Sequence, residues 1–260
     1  MSINFKFVRL LLIDSSLDFK YNGWHPKKML TTLRRESNKL SSKKRAKHNQ
    51  RYFKTGDGQY GYGDVFIGLT VPQCRDLAGK YKDISFDDIG KLLRSEIHEE
   101  RLIALLILVY QFENDELLER RIYEFYLKNT KFVNNWDLVD ASAANIAGGY
   151  LIDKPKGILH ELAKSNNIWE RRISIIATHK FIKNGMVKEA LEIAEELVQD
   201  ENDLIQKALG WTLREVGKKN LKKEQKFLKK HYQKMGRTAL RYAIEKFPES
   251  VRKAYLSGKI

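Results

Sequence analysis

A succession of short helical segments, joined by short polar connections, occupies this chain from about residue 46 onward and limits its possible folds more than any other feature. Prolines number only four, and the alternating runs typical of strands are scarce. Apolar residues recur at three- and four-residue steps, as at Leu118, Ile122 and Phe125, so each helix has one stripe to bury. The helical signals fall at residues 72–82, 85–94, 97–112, 115–128, 134–150, 155–164, 167–183, 186–199, 203–217, 221–234 and 236–246.

Many short helices in antiparallel succession predict an all-α protein, and more specifically a HEAT-like helical-repeat superhelix, or α-solenoid. A compact all-α bundle is the alternative, and it is disfavoured because the helices are numerous and short. We expect a single helical-repeat domain over residues 46–260, preceded by a poorly patterned N-terminal extension over residues 1–45. The basic residues 41–47 either follow phosphate groups or form the solvated start of a helix.

The segment GDGQYG at residues 56–61 matches the G-x-G-x-x-G pattern of dinucleotide-binding proteins. That motif requires a strand before it and the start of a helix after it. Here the preceding residues are polar and helix-like, and an apolar run follows. We therefore interpret the glycines as an irregular loop that joins two helices.

The charge of the chain is strongly unbalanced, with 48 Lys and Arg residues against 33 Asp and Glu residues and a net charge of +15. Such an excess attracts phosphate backbones through counterion release. We therefore expect the concave side of the superhelix to form a basic cleft that binds nucleic acid. Seven lysines crowd residues 218–230, and they form either a second strip for phosphates or the solvated face of an outer helix.

The numbers and positions of cysteine and histidine indicate the cellular compartment and limit the metal sites that the chain could form. A single cysteine, Cys74, excludes an intrachain disulfide and fits a reducing cytoplasm, and no stretch is long and apolar enough to cross a membrane. The six histidines are scattered, and neither H-E-x-x-H nor a Walker A sequence occurs. We expect a cytoplasmic protein with no metal and no organic cofactor.

Three of the four tryptophans lie beside an acidic residue or an arginine, each on a separate predicted helix. They are Trp136, Trp169 and Trp211, which are 33 and 42 residues apart, or about one helix pair each. A helix-pair array would bring these positions onto one face, although any one of them alone is more often a core residue. On a strongly basic protein, such a face suits a cationic group attached to a polyanion, which indicates damaged nucleic acid.

A carboxylate and a guanidinium are candidates for chemistry on that face. Trp136 and Asp140 are four residues apart, so they lie one turn apart on the same side of a helix. Arg171 and Arg172 are about 100° apart on theirs, so only one of them can face Asp140. If Arg172 does so, its charge would hold the carboxylate ionised. The ordinary alternative is a structural salt bridge between two helices.

Four segments together resemble the AlkD family of DNA alkylation repair glycosylases, which are built of HEAT-like repeats. The resemblance extends from about Gln50 to Lys246 and rests on the order and spacing of the segments. They are RYFK at residues 51–54 with FIGLTVPQCR at 66–75, WDLVD at 136–140, IWERR at 168–172 and IQKALGWTLRE at 205–215.

The resemblance implies a role for each matching residue. Asp140 is similar to the catalytic carboxylate of the family, and Arg172 to the arginine beside it. Trp136 and Trp211 resemble the two indoles that flank the lesion nucleotide, and Tyr52 resembles the N-terminal aromatic residue of the cleft. The residues that fall where the family contacts the DNA backbone are Lys54, Arg75, Lys207 and Arg214.

The resemblance also implies an activity, namely hydrolysis of the N-glycosidic bond of cationic purines such as 3-methyladenine or 7-methylguanine in duplex DNA, by a monomer without a cofactor. Two other functions stay open, a non-catalytic helical-repeat protein that binds damaged or branched DNA and a HEAT-type scaffold for acidic partners. The loop at residues 56–64 is longer than in the best-known members, so the shape of the cleft mouth stays open as well.

Overall fold

A computed structural model describes residues 26–260, with side chains from Met29 onward, and the regular elements of this part of the chain are helices, without a strand. The first 25 residues of the expected extension lie outside the described residues. The helices are α1 (Pro26–Leu40), α2 (Lys43–Tyr52), α3 (Val71–Lys80), α4 (Phe86–Leu93), α5 (His98–Asn114), α6 (Glu119–Lys128), α7 (Trp136–Ser142), α8 (Gly157–Ala163), α9 (Ile168–Lys183), α10 (Lys188–Glu196), α11 (Asp203–Lys219), α12 (Leu221–His231), α13 (Arg237–Ala243) and α14 (Glu249–Ser257).

Three short turns complete these elements. A π-helical turn, Ala144–Gly148, continues α7, and 3₁₀ turns at Thr130–Phe132 and Ile244–Lys246 follow α6 and α13. No described helix is long and apolar enough to cross a membrane.

The helices form two rows, as the repeat pattern predicts. In the inner row α5, α7, α9, α11 and α13 each pack against the next, while α4, α6, α8, α10 and α12 cover the other side. One apolar core runs between the rows from Leu33 to Tyr255. Since each pair buries its stripe only against its neighbours, the result is a HEAT-like superhelix, and the predicted fold class is confirmed.

Polar caps set where the inner helices begin. Asn135, Asn167 and Asn202 precede α7, α9 and α11, and each side chain accepts a hydrogen bond from a backbone N–H of the first turn. The three helices that carry Trp136 and its two counterparts along the chain therefore start in the same way. This repetition keeps their first turns in equivalent positions along the row.

The N-terminal boundary differs from the expected one. Helix α1 lies before residue 46, and its Leu33 is fully buried in the same core as the repeats. Arg34 of α1 also donates to Glu100 of α5 over 2.9 Å. Ser42 caps α2, on which no residue is buried, so the basic stretch at residues 41–47 lies at a solvated helix start, and its contact with phosphate groups stays a prediction.

Glycines let the inner helices approach one another closely. A Cβ on Gly210 of α11 would lie 2.4 Å from the carbonyl oxygen of Ala239 in α13, and one on Gly148 would lie 2.2 Å from that of Ala177 in α9. Real Cβ atoms do not come so near backbone oxygens, so both positions require glycine. Gly210 precedes Trp211, and this close contact therefore fixes the height of that ring along the row.

We predict that Gly210→Ala destabilises the protein by about 1–3 kcal/mol, because the added methyl group forces α11 away from α13. The matched control is Gly79→Ala in α3, where a Cβ would meet nothing within 4 Å. Gly79→Ala should stabilise the protein by about 0.5–1 kcal/mol, because alanine has a higher helix propensity than glycine. Urea unfolding measures both, and equal effects of the two substitutions would contradict the packing argument.

A buried charged network joins the loop before α3 to α5 and α7. The His98 ring lies 3.0 Å from Asp64 Oδ2 through Nδ1 and 2.8 Å from Asp137 Oδ2 through Nε2. Arg101 lies 2.6 Å from the other oxygen of Asp64, and the Asn135 amide donates to Asp64 over 3.3 Å. Because His98 is 2% exposed, this network is sheltered from water.

Both ring nitrogens of His98 face a carboxylate, which favours the imidazolium. Burial favours the neutral ring, but the hydrogen bonds to Asp137 and Asp64 outweigh it and raise the pKa of His98 to about 9. Burial likewise opposes the charged form of Asp64, yet His98 and Arg101 hold the pKa of that carboxyl below its usual value. The network is therefore a set of fixed charges at neutral pH.

We predict that the stability contributed by His98 is complete below pH 6.5 and is lost as the pH rises toward about 9, where the folded-state imidazolium deprotonates. His98→Gln should lower the free energy of unfolding by roughly 3 kcal/mol near pH 6, and by less near pH 9. Thermal melts across this range measure the difference between native and variant. Burial raises the pKa of Glu224 to about 8, but this adds the same pH dependence to both proteins.

The control for this prediction is His48→Gln, since His48 is exposed on α2. It should leave the pH profile of stability unchanged. A constant difference between native protein and His98→Gln from pH 6 to 9 would contradict a charged His98.

Candidate functional site

A cleft of about 480 Å³ opens along the inner row, where α2 and the loop after it meet α7, α9, α11 and α13. Its walls are mainly aromatic and cationic. They consist of Tyr52, Lys54, Tyr60, Trp136, Arg172, Asn202, Asp203, Leu204, Lys207, Trp211 and Tyr242. Five of these side chains are aromatic, so the cleft can hold a flat ring system beside a polyanion.

Trp136 is the first residue of α7, and a stack of rings holds it in place. The Phe53 ring is nearly parallel to it at 5.2 Å and 13°, and Tyr52 meets it edge-on at 6.0 Å. Phe53 in turn packs against His98 at 5.0 Å. Tyr52 is 58% exposed and lines this end of the cleft, and its contact with a lesion stays a prediction.

Asp140 and Arg172 form a bidentate ion pair between α7 and α9. Arg172 donates from Nε to Oδ1 over 2.9 Å and from Nη2 to Oδ2 over 2.8 Å, and its Nη1 donates to the carbonyl oxygen of Leu204. The Arg172 side chain is 6% exposed and that of Asp140 is 20% exposed. Asp140 is not among the residues that line the cleft, whereas Arg172 is.

Burial changes the expected titration of Asp140. Arg172 favours the ionised carboxylate, as the sequence indicated, but desolvation is the larger effect and raises the pKa of Asp140 above its usual value. A sequence cannot give the depth at which a side chain lies, so this balance could not be predicted. Arg171 points elsewhere and pairs with Asp200 over 2.7 Å.

Trp211 lies on the opposite side of the cleft, on α11. Its indole N–H donates to Glu215 over 3.2 Å, and the His179 ring meets it edge-on at 4.5 Å. Burial lowers the pKa of His179 to about 4, so this ring is neutral. His179 also lies 2.8 Å from the Thr212 hydroxyl. Trp211 is therefore oriented by uncharged packing on one side and a carboxylate on the other.

The predicted backbone-contacting residues fall into two groups. Lys54 and Lys207 line the cleft, and Lys207 also pairs with Asp203 over 2.7 Å. Arg75 is exposed on α3 but does not line the cleft, and Arg214 pairs with Glu245 outside it. The roles of these four residues toward DNA stay predictions.

Trp169 does not line the cleft with the other two tryptophans. It is 7% exposed and belongs to the core, and the Tyr60 ring, which does line the cleft, meets it edge-on at 6.0 Å. The expectation that the cleft presents all three rings is therefore wrong for Trp169, because the spacing of helix pairs does not show that a loop residue packs against this ring.

Sequence reasoning missed two aromatic residues of the cleft. Tyr60 comes from the loop between α2 and α3, which carries no periodicity that could have placed it. Tyr242 lies on α13, one inner helix beyond Trp211, and the repeat pattern could have found it. Among the described residues, no group of three His, Cys, Asp or Glu side chains could hold a metal ion.

Comparisons with known proteins give one family match and a similar solved structure. A family described as "DNA alkylation repair enzyme" matches residues 33–247. The solved structure described as "Predicted DNA alkylation repair enzyme from Enterococcus faecalis" has a TM-score of 0.62 and 16% identity to this chain, and the match covers 81% of this chain and 98% of that one. No curated protein sequence gives a significant match.

The structural similarity, at this level of identity, concerns the fold alone. The family match covers every residue that lines the cleft, from Tyr52 on α2 to Tyr242 on α13. The chain belongs to the DNA alkylation repair enzyme family.

Proposed function

We propose that the protein is a DNA glycosylase that hydrolyses the N-glycosidic bond of cationic alkylated purines, of the 3-methyladenine and 7-methylguanine type, in duplex DNA. The observation that carries the proposal is the pair of Asp140 and Arg172 between two tryptophan-bearing helices. Arg172 lines the same cleft as Trp136 and Trp211 and holds both oxygens of the carboxylate. We further propose that the protein acts as a monomer without a cofactor.

The chemistry of the substrate makes few demands on such a site. Alkylation gives the purine a positive charge, so the base departs readily without a general acid. The enzyme must then stabilise the positive charge that develops on the deoxyribose, as in the oxocarbenium-like transition state of sugar hydrolases. A single carboxylate suffices for this, and it can also orient the attacking water.

Asp140 suits this task because its orientation is fixed before substrate arrives. Two charge-assisted hydrogen bonds from Arg172 hold the carboxylate in plane and favour its ionised form. The partial burial of Asp140 lowers the local dielectric, which strengthens its attraction for a nearby cation. Protonation of Asp140 removes that attraction, and burial raises its pKa, so we expect the rate to fall on acidification at a higher pH than an ordinary aspartate would give.

The aromatic walls suit the cationic base. Trp136 and Trp211 each contribute about 0.5–2 kcal/mol of cation–π attraction to a methylated purine held between them. Lys54 and Lys207 at the cleft attract the flanking phosphates. The walls are aromatic and cationic rather than a set of hydrogen-bonding groups complementary to one base, so selectivity follows the charge and lability of the lesion, and neutral lesions are poor substrates.

We predict that Asp140→Asn reduces the release of 7-methylguanine from methylated duplex DNA by at least about 100-fold, since the loss of one preorganised electrostatic group costs roughly 3 kcal/mol of barrier. Affinity for undamaged duplex should change little. Single-turnover base release measures the rate, and a thermal melt of the variant shows whether it is folded. The control is Asp153→Asn, which changes an exposed carboxylate beside Lys154 and should leave the rate unchanged.

Failure of this experiment favours one of two other functions. Tight, salt-dependent binding of damaged duplex without base release by the native protein would indicate a non-catalytic DNA-binding protein. The enclosure of both Asp140 oxygens by Arg172 supports that alternative. Indifference to DNA at every salt concentration would indicate a scaffold for acidic partners.

A further inference from the structure

We propose that Tyr60, in the loop between α2 and α3, is a third aromatic wall of the lesion site and increases its selectivity for cationic over neutral bases. This inference rests on the proposed function, because it assigns a specificity-determining residue to the same cleft. Tyr60 is not among the residues that the sequence predicted for the site, although Lys54 of the same loop is.

The first observation is the place of the ring. Tyr60 lines the cleft together with Trp136 and Trp211 and is half-buried there. Its ring meets the buried Trp169 edge-on at 6.0 Å. Lys54 Nζ lies 6.0 Å from the centre of the Tyr60 ring, so the face of this ring already lies near one cation. A ring supported from behind by Trp169 presents its remaining surface to the cleft.

The second observation is that the loop is built to hold one shape. The Gly61 N–H donates to the carbonyl oxygen of Lys54 over 3.1 Å, which closes the loop around Tyr60. A Cβ at Gly61 would lie 2.4 Å from the carbonyl oxygen of Phe53, so only glycine fits this closure. The Gly56 N–H donates to the Gln59 side chain over 2.9 Å. The loop is therefore a fixed wall rather than a free lid.

The third observation is a shared anchor. The loop ends at Asp64, whose carboxylate joins His98 and the Asn135 cap of α7. Trp136 follows Asn135 directly, so the contacts of Asp64 hold both the loop that carries Tyr60 and the start of the helix that carries Trp136. The separation between the two rings is thus set by the fold before DNA binds.

The chemistry of the side chain suits a cationic partner. Burial raises the pKa of Tyr60, and the neighbouring Trp136 indole opposes this shift without cancelling it. The phenol is therefore neutral at physiological pH and offers an electron-rich face. One such contact gives a preference for a cationic over a neutral ring of about 3- to 30-fold.

The test compares two duplexes that differ only in the charge of one base. One carries 2′-fluoro-7-methylguanosine, which is cationic and resists hydrolysis, and the other carries its neutral 7-deaza-7-methyl counterpart. Fluorescence anisotropy gives the ratio of the two Kd values for each protein. The native protein should prefer the cationic duplex, and Tyr60→Leu should reduce that preference by about 3- to 30-fold. Affinity for undamaged duplex should stay the same.

Two variants serve as controls. Tyr60→Phe keeps the ring and should keep the preference. Tyr62→Leu changes another tyrosine of the loop, which is 66% exposed and does not line the cleft, and it should have no effect.

Each outcome has a distinct meaning. A native preference that Tyr60→Leu leaves intact overturns this inference while the proposed function stands. A native protein without any preference contradicts the proposed function and this inference together. If Tyr60→Leu does not fold, ¹⁹F NMR of fluorotyrosine-labelled native protein decides, with the Tyr60 signal assigned through Tyr60→Phe. That signal should shift with the cationic duplex and not with the neutral one, and equal shifts overturn the inference.

Discussion

One guanidinium joins three consecutive helices of the inner row, and the site depends on it. Arg172 of α9 holds Asp140 of α7 through two hydrogen bonds and the first turn of α11 through the carbonyl oxygen of Leu204. Trp136 and Trp211 lie on the two helices that Arg172 connects to its own. Removal of one partner of such a buried pair leaves a charge uncompensated and costs about 3–5 kcal/mol. The same contact therefore orients the carboxylate and sets the width of the cleft.

A second set of charges fixes the other end of the cleft. His98, clamped between Asp64 and Asp137, links the loop after α2 to the start of α7. It contacts the Phe53 ring, on which Trp136 stacks. The two anchors have different physical character. Arg172 lines the cleft, whereas His98 is 2% exposed, does not line it, and joins parts of the framework to one another.

The helical-repeat architecture and the pairing of Asp140 with Arg172 could both be predicted from the sequence. Helical periodicity with short connections favoured a helical-repeat superhelix over other folds. The four-residue spacing of Trp136 and Asp140 predicted that they lie on one side of α7. The resemblance to a known family indicated that Arg172, and not Arg171, lies beside Asp140. In the structure Arg172 and Asp140 form an ion pair. Helix α1 was missed because it is rich in charged residues and, among its described side chains, Leu33 is the only apolar one that is fully buried.

The other features of the site depend on loop conformation and on burial, which the sequence pattern does not show. Tyr60 lies in an aperiodic loop whose closure requires a hydrogen bond and a steric limit at Gly61 that no pattern shows. Trp169 lies beside a charged residue in the sequence as Trp136 does, yet it is buried and the Tyr60 ring packs against it. The raised pKa of Asp140 comes from burial, a quantity that spacing does not contain. Local pattern thus predicted which residues are polar partners, but not how far each lies from solvent.

In the proposed mechanism, the Asp140 carboxylate is complementary to positive charge on the sugar of the lesion. An enzyme binds mimics of its transition state more tightly than mimics of its substrate. The decisive measurement is therefore the affinity for duplex DNA with a cationic 1-azaribose abasic site, relative to a neutral tetrahydrofuran site, in native protein and in Asp140→Asn. We expect the native protein to prefer the cationic site strongly and the variant to lose this preference. Equal affinity of the native protein for both sites would overturn the proposed role of Asp140.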